Sequence, residues 1–227
     1  MCKEILKTTA LFQGVAPEHM DAVLKCLGAR RKQFEKGQSI YRAGEVVRSL
    51  GIVLSGSVLV ENQDFWGNET VLDRLGPGGI FAEAYACVAG EPLMVDVVAR
   101  ELAQVLFLDV ERILQQCPQN CDDHGQLIRN LVTLCAQKNL SLSRKIFHTC
   151  AKTIRGRILS YLSYQAMRNG SNTFSIPFDR QQLAAYLGVD RSALSHELAK
   201  MQRDGLLKTS RNQFCLLDES DFSHEKI

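Results

Sequence analysis

A chain of 227 residues with 45% hydrophobic content can fill one large core or two smaller ones, as expected of a soluble globular protein. No window approaches the roughly 20 uninterrupted apolar residues of a membrane-spanning helix, and the opening MCKEILKTTALF has neither a secretory apolar core nor a cleavage site, so a cytoplasmic location with no membrane partner is expected. The formal charge of +2 conceals an asymmetry: residues 1–120 carry 12 Lys/Arg against 15 Asp/Glu (−3), whereas residues 144–211 carry 12 against 4 (+8), which suits a polyanion or else a solvated basic face.

The first predicted helix covers Ala16–Leu27, entered through Pro17 and left at Gly28. From 34 to 110 the pattern changes to short β-branched or alternating runs, SLGIVLSG, SVLVEN, ETVLDRL, MVDVVA and AQVLFLD. Turn signals recur between them at Gly37, Gly44, Gly51, Gly56, Gly67-Asn68 and Gly76-Pro77-Gly78-Gly79, and turns this close together imply a sandwich or barrel rather than a parallel sheet.

From about 111 to 147 the pattern turns helical and stays so. Leu127, Ile128, Leu131, Leu134, Cys135, Leu142 and Ile146 follow a 3-4 spacing. A seam this long is expected to bury itself against its copy in a second subunit, with Leu127, Ile128, Leu131, Leu134 and Cys135 at the dimer interface; the alternative is packing along its own domain.

After a break at HTCAK, IRGRILSYLSYQAM reads as one helix ended by Asn169-Gly170-Ser171-Asn172, and TFSIPF as a short strand. Asp179 is placed to cap the helix RQQLAAYL, with Gln182 completing a capping box, and Gly188 ends it in the left-handed manner. Asp190 caps again, and RSALSHELAKMQRDG follows. Two helices this short joined this tightly form a helix-turn-helix. Leu183, Ala184, Leu187, Val189, Leu194 and Leu198 face inward onto Ile158, Leu159 and Leu162, leaving Arg191, Ser192, Ser195 and His196 on the outer face. Those are short or planar donors at the end of the helix that enters a major groove; Arg191 suits a guanine edge or a phosphate, and His196 is either a base reader or a solvated residue. Arg180 and Gln181, opening the first helix, join the candidate contacts. LLKTSRNQFCLL reads as a wing whose Lys208 and Arg211 reach phosphates.

These residues together resemble the CRP/FNR family of bacterial transcription regulators over nearly the whole chain. The matching motifs are Phe34, Lys36-Gly37-Gln38, Ile40, Gly44, LSGSVLV and LGPGGIFAE, then IRGRILSYL, IPFDRQQLAAYLGVDRSALSHELAKMQRDGLL and the hairpin. The resemblance implies an α+β protein: an effector-sensing β jelly roll (a double-stranded β-helix) over 1–116, a long dimerisation helix over 117–149, and a winged helix-turn-helix over 150–227. It implies a homodimer on a near-palindromic double-stranded operator, with RNA polymerase as a further partner. Family members that read the best-known operators carry Glu at the place of Ser192 and Arg at that of His196, so this operator is not given by analogy.

The expected effector pocket comprises Phe81, Glu83, Cys87, Leu93, Met94 and Val95. In cyclic-nucleotide-binding members a Gly-Glu pair after the Gly-rich turn engages the ribose, and a later Arg engages the phosphate. Here Glu83 keeps its place, but Ala82 replaces the Gly, and Leu93 or Met94 falls where the Arg belongs. No Lys or Arg occurs between Arg74 and Arg100, and the two polar residues usually offered to adenine align with Leu142 and Ser143. Cyclic AMP is not an expected ligand, because burying its phosphate without a cation is costly.

Eight scattered cysteines argue for reduced thiols, metal ligands or core filler rather than a disulfide framework. Cys2 and Cys26 are too far apart for the iron-sulfur pattern of some family members. Cys117, Cys121 and His124 share one helical face, with Cys87 and Cys135 as further candidates, and suit zinc, iron or haem in a redox, haem or metal-dependent sensor; the same spacing suits packing, and the cofactor stays unknown. A cupin-like enzyme needs two His and a carboxylate from strands, and residues 28–116 contain no histidine, so no enzyme is expected. The other rival, a dimeric regulatory module without DNA binding, is opposed by the basic helix-turn-helix.

Overall fold

The computed structural model describes residues 2–63, 66, 69–115 and 122–217, and divides after Gln137 into two compact units. In the first unit, α1 (Cys2–Thr8), a short 3-10 turn (Ala10–Phe12) and α2 (Met20–Cys26) precede the strands β1 (Arg30–Phe34), β2 (Ser39–Tyr41), β3 (Ser49–Ser55), β4 (Val58–Gln63), β5 (Glu69–Leu75) and β6 (Ile80–Phe81). Helix α3 (Glu83–Cys87) follows, then β7 (Asp96–Ala99), β8 (Ala103–Asp109), α4 (Val110–Leu114) and the long α5 (Asp122–Thr149). The expected opening helix is shorter than the sequence suggests. Residues 17–19 form a turn closed by the His19 amide on the Ala16 carbonyl, and α-helix begins only at Met20.

Two four-stranded antiparallel sheets, β1-β8-β3-β6 and β2-β7-β4-β5, make the jelly roll. Its central strand is buried on both faces, so its alternating side chains serve two cores. Leu50, Ile52 and Leu54 of β3, with Leu106 and Leu108 of β8, join the helical cluster that includes Leu6, Leu11, Met20, Ile113, Leu127 and Leu131. Val53 of β3 and Ala103 and Val105 of β8 join Phe34, Val58, Phe81 and Val97 between the sheets. Gly51 faces that second core because a Cβ there would overlap the Phe81 ring.

The helical pattern expected without interruption from 111 is broken. Gln115 adopts extended angles and ends α4, so α5 is a separate helix. Leu127 and Leu131, expected at a dimer interface, are 0% and 1% exposed within the core of their own unit, and Ile128, Leu134 and Cys135 pack partly against the same core. The last part of α5 belongs to the second unit.

That unit continues with α6 (Ile154–Asn169), β9 (Thr173–Ser175), α7 (Arg180–Leu187), α8 (Arg191–Arg203), β10 (Leu207–Ser210) and β11 (Gln213–Leu216), the strands forming the antiparallel sheet β10-β11-β9. Its core is Ile158, Tyr161, Leu162, Phe174, Leu183, Leu187, Leu194, Leu198, Met201, Leu207 and Phe214. Most of these inward positions are those the apolar spacing predicts. No described helix is long and apolar enough to cross a membrane.

Candidate nucleic-acid interface and effector cassette

Local chemistry fixes the helix pair α7–α8. The Asp179 carboxylate accepts from the Gln182 amide at 2.7 Å while the Gln182 side chain accepts from the Asp179 amide at 2.9 Å, the reciprocal box that satisfies two otherwise orphaned donors. At the other end Gly188 takes φ +63°, and the Val189 amide reaches back to the Ala184 carbonyl at 3.0 Å. Arg157 of α6 then donates to the carbonyls of Leu187 and Gly188, both at 3.1 Å. This guanidinium neutralises the negative end of α7 and holds the turn, a role that sequence spacing does not reveal.

Asp190 starts α8 by accepting from the amides of Ser192 and Ala193 and from the Ser192 hydroxyl. Those hydrogen bonds, the Ser192 hydroxyl's first among them, hold its carboxyl below the usual carboxylate range. Leu194, Leu198 and Met201 are buried; Arg191, Ser192, Ser195 and His196 are exposed together on the other side, as the spacing predicts. The Ser195 hydroxyl donates to the Arg191 carbonyl at 2.9 Å, leaving its oxygen as an acceptor toward solvent.

The wing is β10–β11, with Lys208 and Arg211 exposed. Arg211 occupies the hairpin tip at φ +53°, a left-handed conformation that costs a side chain roughly 1–2 kcal/mol. The Asn212 carbonyl accepts from the Ile176 amide at 2.9 Å, bracing that tip. A cleft of about 820 Å³ is lined by Pro177, Phe178, Asp179, Arg180, Gln181, Gln182, Arg191, Arg211 and Asn212. Arg180 differs from its neighbours. Its guanidinium donates to the Thr209 hydroxyl at 2.8 Å and lies 5.0 Å above the Phe214 ring, partly buried, whereas Gln181 is exposed.

The fate of the acids decides the electrostatics. Residues 144–211 contain four, Asp179, Asp190, Glu197 and Asp204. The first two are committed to helix caps, and Arg155 binds Glu197 and Asp204, both at 2.6 Å. With twelve Lys/Arg against these four, the segment keeps an excess of +8, and Arg191, Lys200, Arg203, Lys208 and Arg211 are exposed to solvent.

The effector cassette lies in the first unit. Ala82 adopts φ 60°, ψ 12° and starts α3, a left-handed position at which Ala pays the strain that Gly avoids. Phe81 and Glu83 are buried. Leu93 is 3% exposed, its amide and carbonyl bonded to Glu45 and Gly44, while Met94 is 71% exposed and Val95 half-buried. The six expected pocket residues thus differ widely in exposure. The cleft beside α3, about 640 Å³, takes in Cys87 with Val46, Val47, Arg48, Ala86 and Glu111, but none of the other five.

Of the candidate metal ligands, Cys117 and Cys121 lie outside the described residues. His124 is buried with Nε2 2.8 Å from the Arg112 carbonyl. Among the described residues no group of three His, Cys, Asp or Glu is placed to hold a metal ion. Cys87 and Cys135 do come together: loss of solvent around the thiol, and then the neighbouring Cys135, push Cys87 up to about 11.

Two family models match the chain, one for the cyclic nucleotide-binding domain over residues 31–120 and one for the Crp-like helix-turn-helix domain over residues 156–223. Among curated proteins it is 26% identical over 206 residues to the cyclic AMP receptor protein of Thermus thermophilus, covering 89% of this chain and 90% of that protein. It is 24% identical over 220 residues to the CRP-like cAMP-activated global transcriptional regulator of Mycobacterium tuberculosis, covering 95% of each. Among solved structures, the catabolite activator protein of Thermus thermophilus superposes with a TM-score of 0.52 at 25% identity, over 95% of this chain and 99% of that one.

Proposed function

We infer that this chain, which belongs to the CRP/FNR family of DNA-binding transcription regulators, acts as a cytoplasmic homodimer that sets two α8 helices in successive major grooves of a near-palindromic operator. The family is one of regulators rather than enzymes. The observation that carries the DNA reading is the exposed row of cations at α8 and the wing, in a segment whose four acids are engaged as helix caps or paired with Arg155. Arg191 and Ser195 read bases or phosphates at the start of α8, and Lys208 and Arg211 hold phosphates from the wing.

An exposed apolar stripe on α5 supports the homodimer. Ile128, Val132, Cys135, Asn139, Leu142 and Ile146 repeat at heptad a and d spacing, and Val132, Leu142 and Ile146 are 61%, 61% and 62% exposed. This stripe adjoins the core face of Leu127 and Leu131 and shares Ile128 and Cys135 with it. Asn139 at an inward position is the kind of polar residue that fixes register and two-strandedness.

The cassette does not serve cyclic AMP. Two similar proteins have cyclic AMP in their names, but here the position of the phosphate-binding cation is taken by buried Leu93 and solvent-facing Met94. The effector is weakly charged, or is a redox or metal signal received through the cysteines.

Mobility shift with random genomic fragments tests the function directly. Salt-sensitive binding is expected, and its complete absence would refute the DNA reading. Sedimentation of a Leu142→Glu, Ile146→Glu variant as a monomer supports the seam; an unchanged dimer would remove it. Calorimetry with cyclic AMP is expected to give no saturable heat, and micromolar binding would overturn that part.

A further inference from the structure

We propose that a cavity formed by α5, α6 and α7 within the second unit, lined by His148 and a set of aromatic and arginine side chains, is a binding site for a small aromatic carboxylate. The cavity measures about 210 Å³ and is lined by Arg144 and His148 of α5, Tyr161, Tyr164 and Arg168 of α6, Phe178 just before α7, and Tyr186 of α7. The spacings Ser141, Arg144, His148 and Tyr161, Tyr164, Gln165, Arg168 each put one strip of a helix on the cavity.

Its walls are rings. The Phe178 and Tyr186 centroids are 5.1 Å apart, Tyr161 and Tyr186 5.4 Å, and Tyr161 stacks on Phe178 at 6.0 Å. His148 adds a further ring, 5.2 Å from Tyr164. Such walls favour a flat guest over a flexible aliphatic one. A dry apolar cavity of about 150 Å³ admits benzene, so 210 Å³ leaves room for one ring and a carboxylate.

The polar groups specify the charge. His148 is 1% exposed, its Nδ1 shares a 2.9 Å hydrogen bond with the Tyr186 hydroxyl, and its Nε2 has no hydrogen-bond partner among the described residues. A buried imidazole nitrogen left in that state costs free energy that a ligand oxygen restores. The Tyr161 hydroxyl is also buried, with no hydrogen-bond partner by distance and angle among the described residues. Arg144, 5.9 Å above the Tyr164 ring, and Arg168 are exposed cations on the lining, and no Asp or Glu is among the lining residues. Two cations and a ring N–H facing aromatic walls match a benzoate-type anion. When Tyr186 donates to Nδ1, the imidazole proton sits on Nε2.

The site is compatible with a dimer. Ser141, Arg144 and His148 occupy the heptad positions opposite the seam of Asn139, Leu142 and Ile146, so a partner helix leaves them uncovered.

Calorimetry of the full chain with sodium benzoate, with benzylamine and cyclohexanecarboxylate as comparators, tests the assignment. Benzoate should bind saturably, one per chain, and quench the fluorescence of the lining tyrosines. The Arg144→Gln, Arg168→Gln variant, altered only at exposed positions, should bind at least about tenfold more weakly. No saturable heat with millimolar benzoate overturns the proposal. So does benzylamine binding as well as benzoate, equal affinity for cyclohexanecarboxylate, or indifference to the double substitution. These outcomes are independent of whether the protein binds DNA.

Discussion

Removing the wing cations should change how DNA binding depends on salt, by an amount that follows from the surface. Each protomer exposes Arg191 at the start of α8 and Lys208 and Arg211 on the wing, giving six cations in a dimer. Each neutralised phosphate contributes about −0.9 to the slope of log K against log salt, so six contacts give a slope of about −5. Replacing Lys208 and Arg211 by Gln removes four of the six and should leave a slope of about −2. Between about 50 and 200 mM salt, the wild-type affinity should fall roughly a thousandfold and the variant's roughly tenfold. Fluorescence anisotropy with a labelled duplex measures both slopes. Arg180→Gln is the internal control: its guanidinium is engaged by Thr209 and Phe214, so the slope should hardly move although the wing is weakened. Equal slopes for wild type and the Lys208/Arg211 variant, or a larger change with Arg180→Gln, would refute the assignment of the wing to the backbone.

Gly51→Ala should lower stability by about 1–3 kcal/mol, because its Cβ displaces the buried Phe81 ring; pairing it with Phe81→Leu should recover much of the loss in urea denaturation, and an unchanged midpoint for the single variant contradicts the packing. Cys87 should alkylate slowly at neutral pH, with a rate that keeps rising up to about pH 11, and Cys135→Ala should move that profile down. Peptide mass spectrometry after iodoacetamide pulses reads this, and a profile unaffected by Cys135 denies the pairing. Burial, and then Arg144, hold His148 below its ordinary value of 6.5. The unfolded chain therefore binds a proton that the folded chain refuses, so the contribution is intact above pH 6.5 and is lost as pH falls below it toward the folded value. His148→Gln should flatten this part of the stability profile; an acid-side decline of equal size in the variant assigns it elsewhere.

The helix-turn-helix was legible because its signals are local. Asp179 and Gln182 are three residues apart, Gly188 ends one helix and Asp190 starts the next, and the apolar spacing then has only one inward face to fill. The long helix was less legible. A 3-4 repeat states that a strip is buried and not against what, and Leu127 and Leu131 pack on their own unit while Val132, Leu142 and Ile146 remain outside. The ion pairs of Arg155 join residues 42 and 49 positions away, and no periodicity connects them. The cassette illustrates a third difficulty: position in a motif places Leu93, Met94 and Val95 together, but they lie in a bend before β7, where no periodicity says which side chain turns inward, and burial separates them. The ring cluster around His148 had no signal at all, since its members are ordinary core aromatics until an unbonded nitrogen is found among them.

Helix α5 keeps its heptad stripe and its cavity-lining strip on opposite sides of one rod. Inheritance can then act on each separately. With the stripe as the proposed seam and the cavity as the proposed site, substitutions at 139, 142 and 146 act on pairing, those at 141, 144 and 148 act on the guest, and neither kind obliges the other to change. A lineage carrying this arrangement can diverge in its chemical vocabulary while its subunits continue to recognise one another.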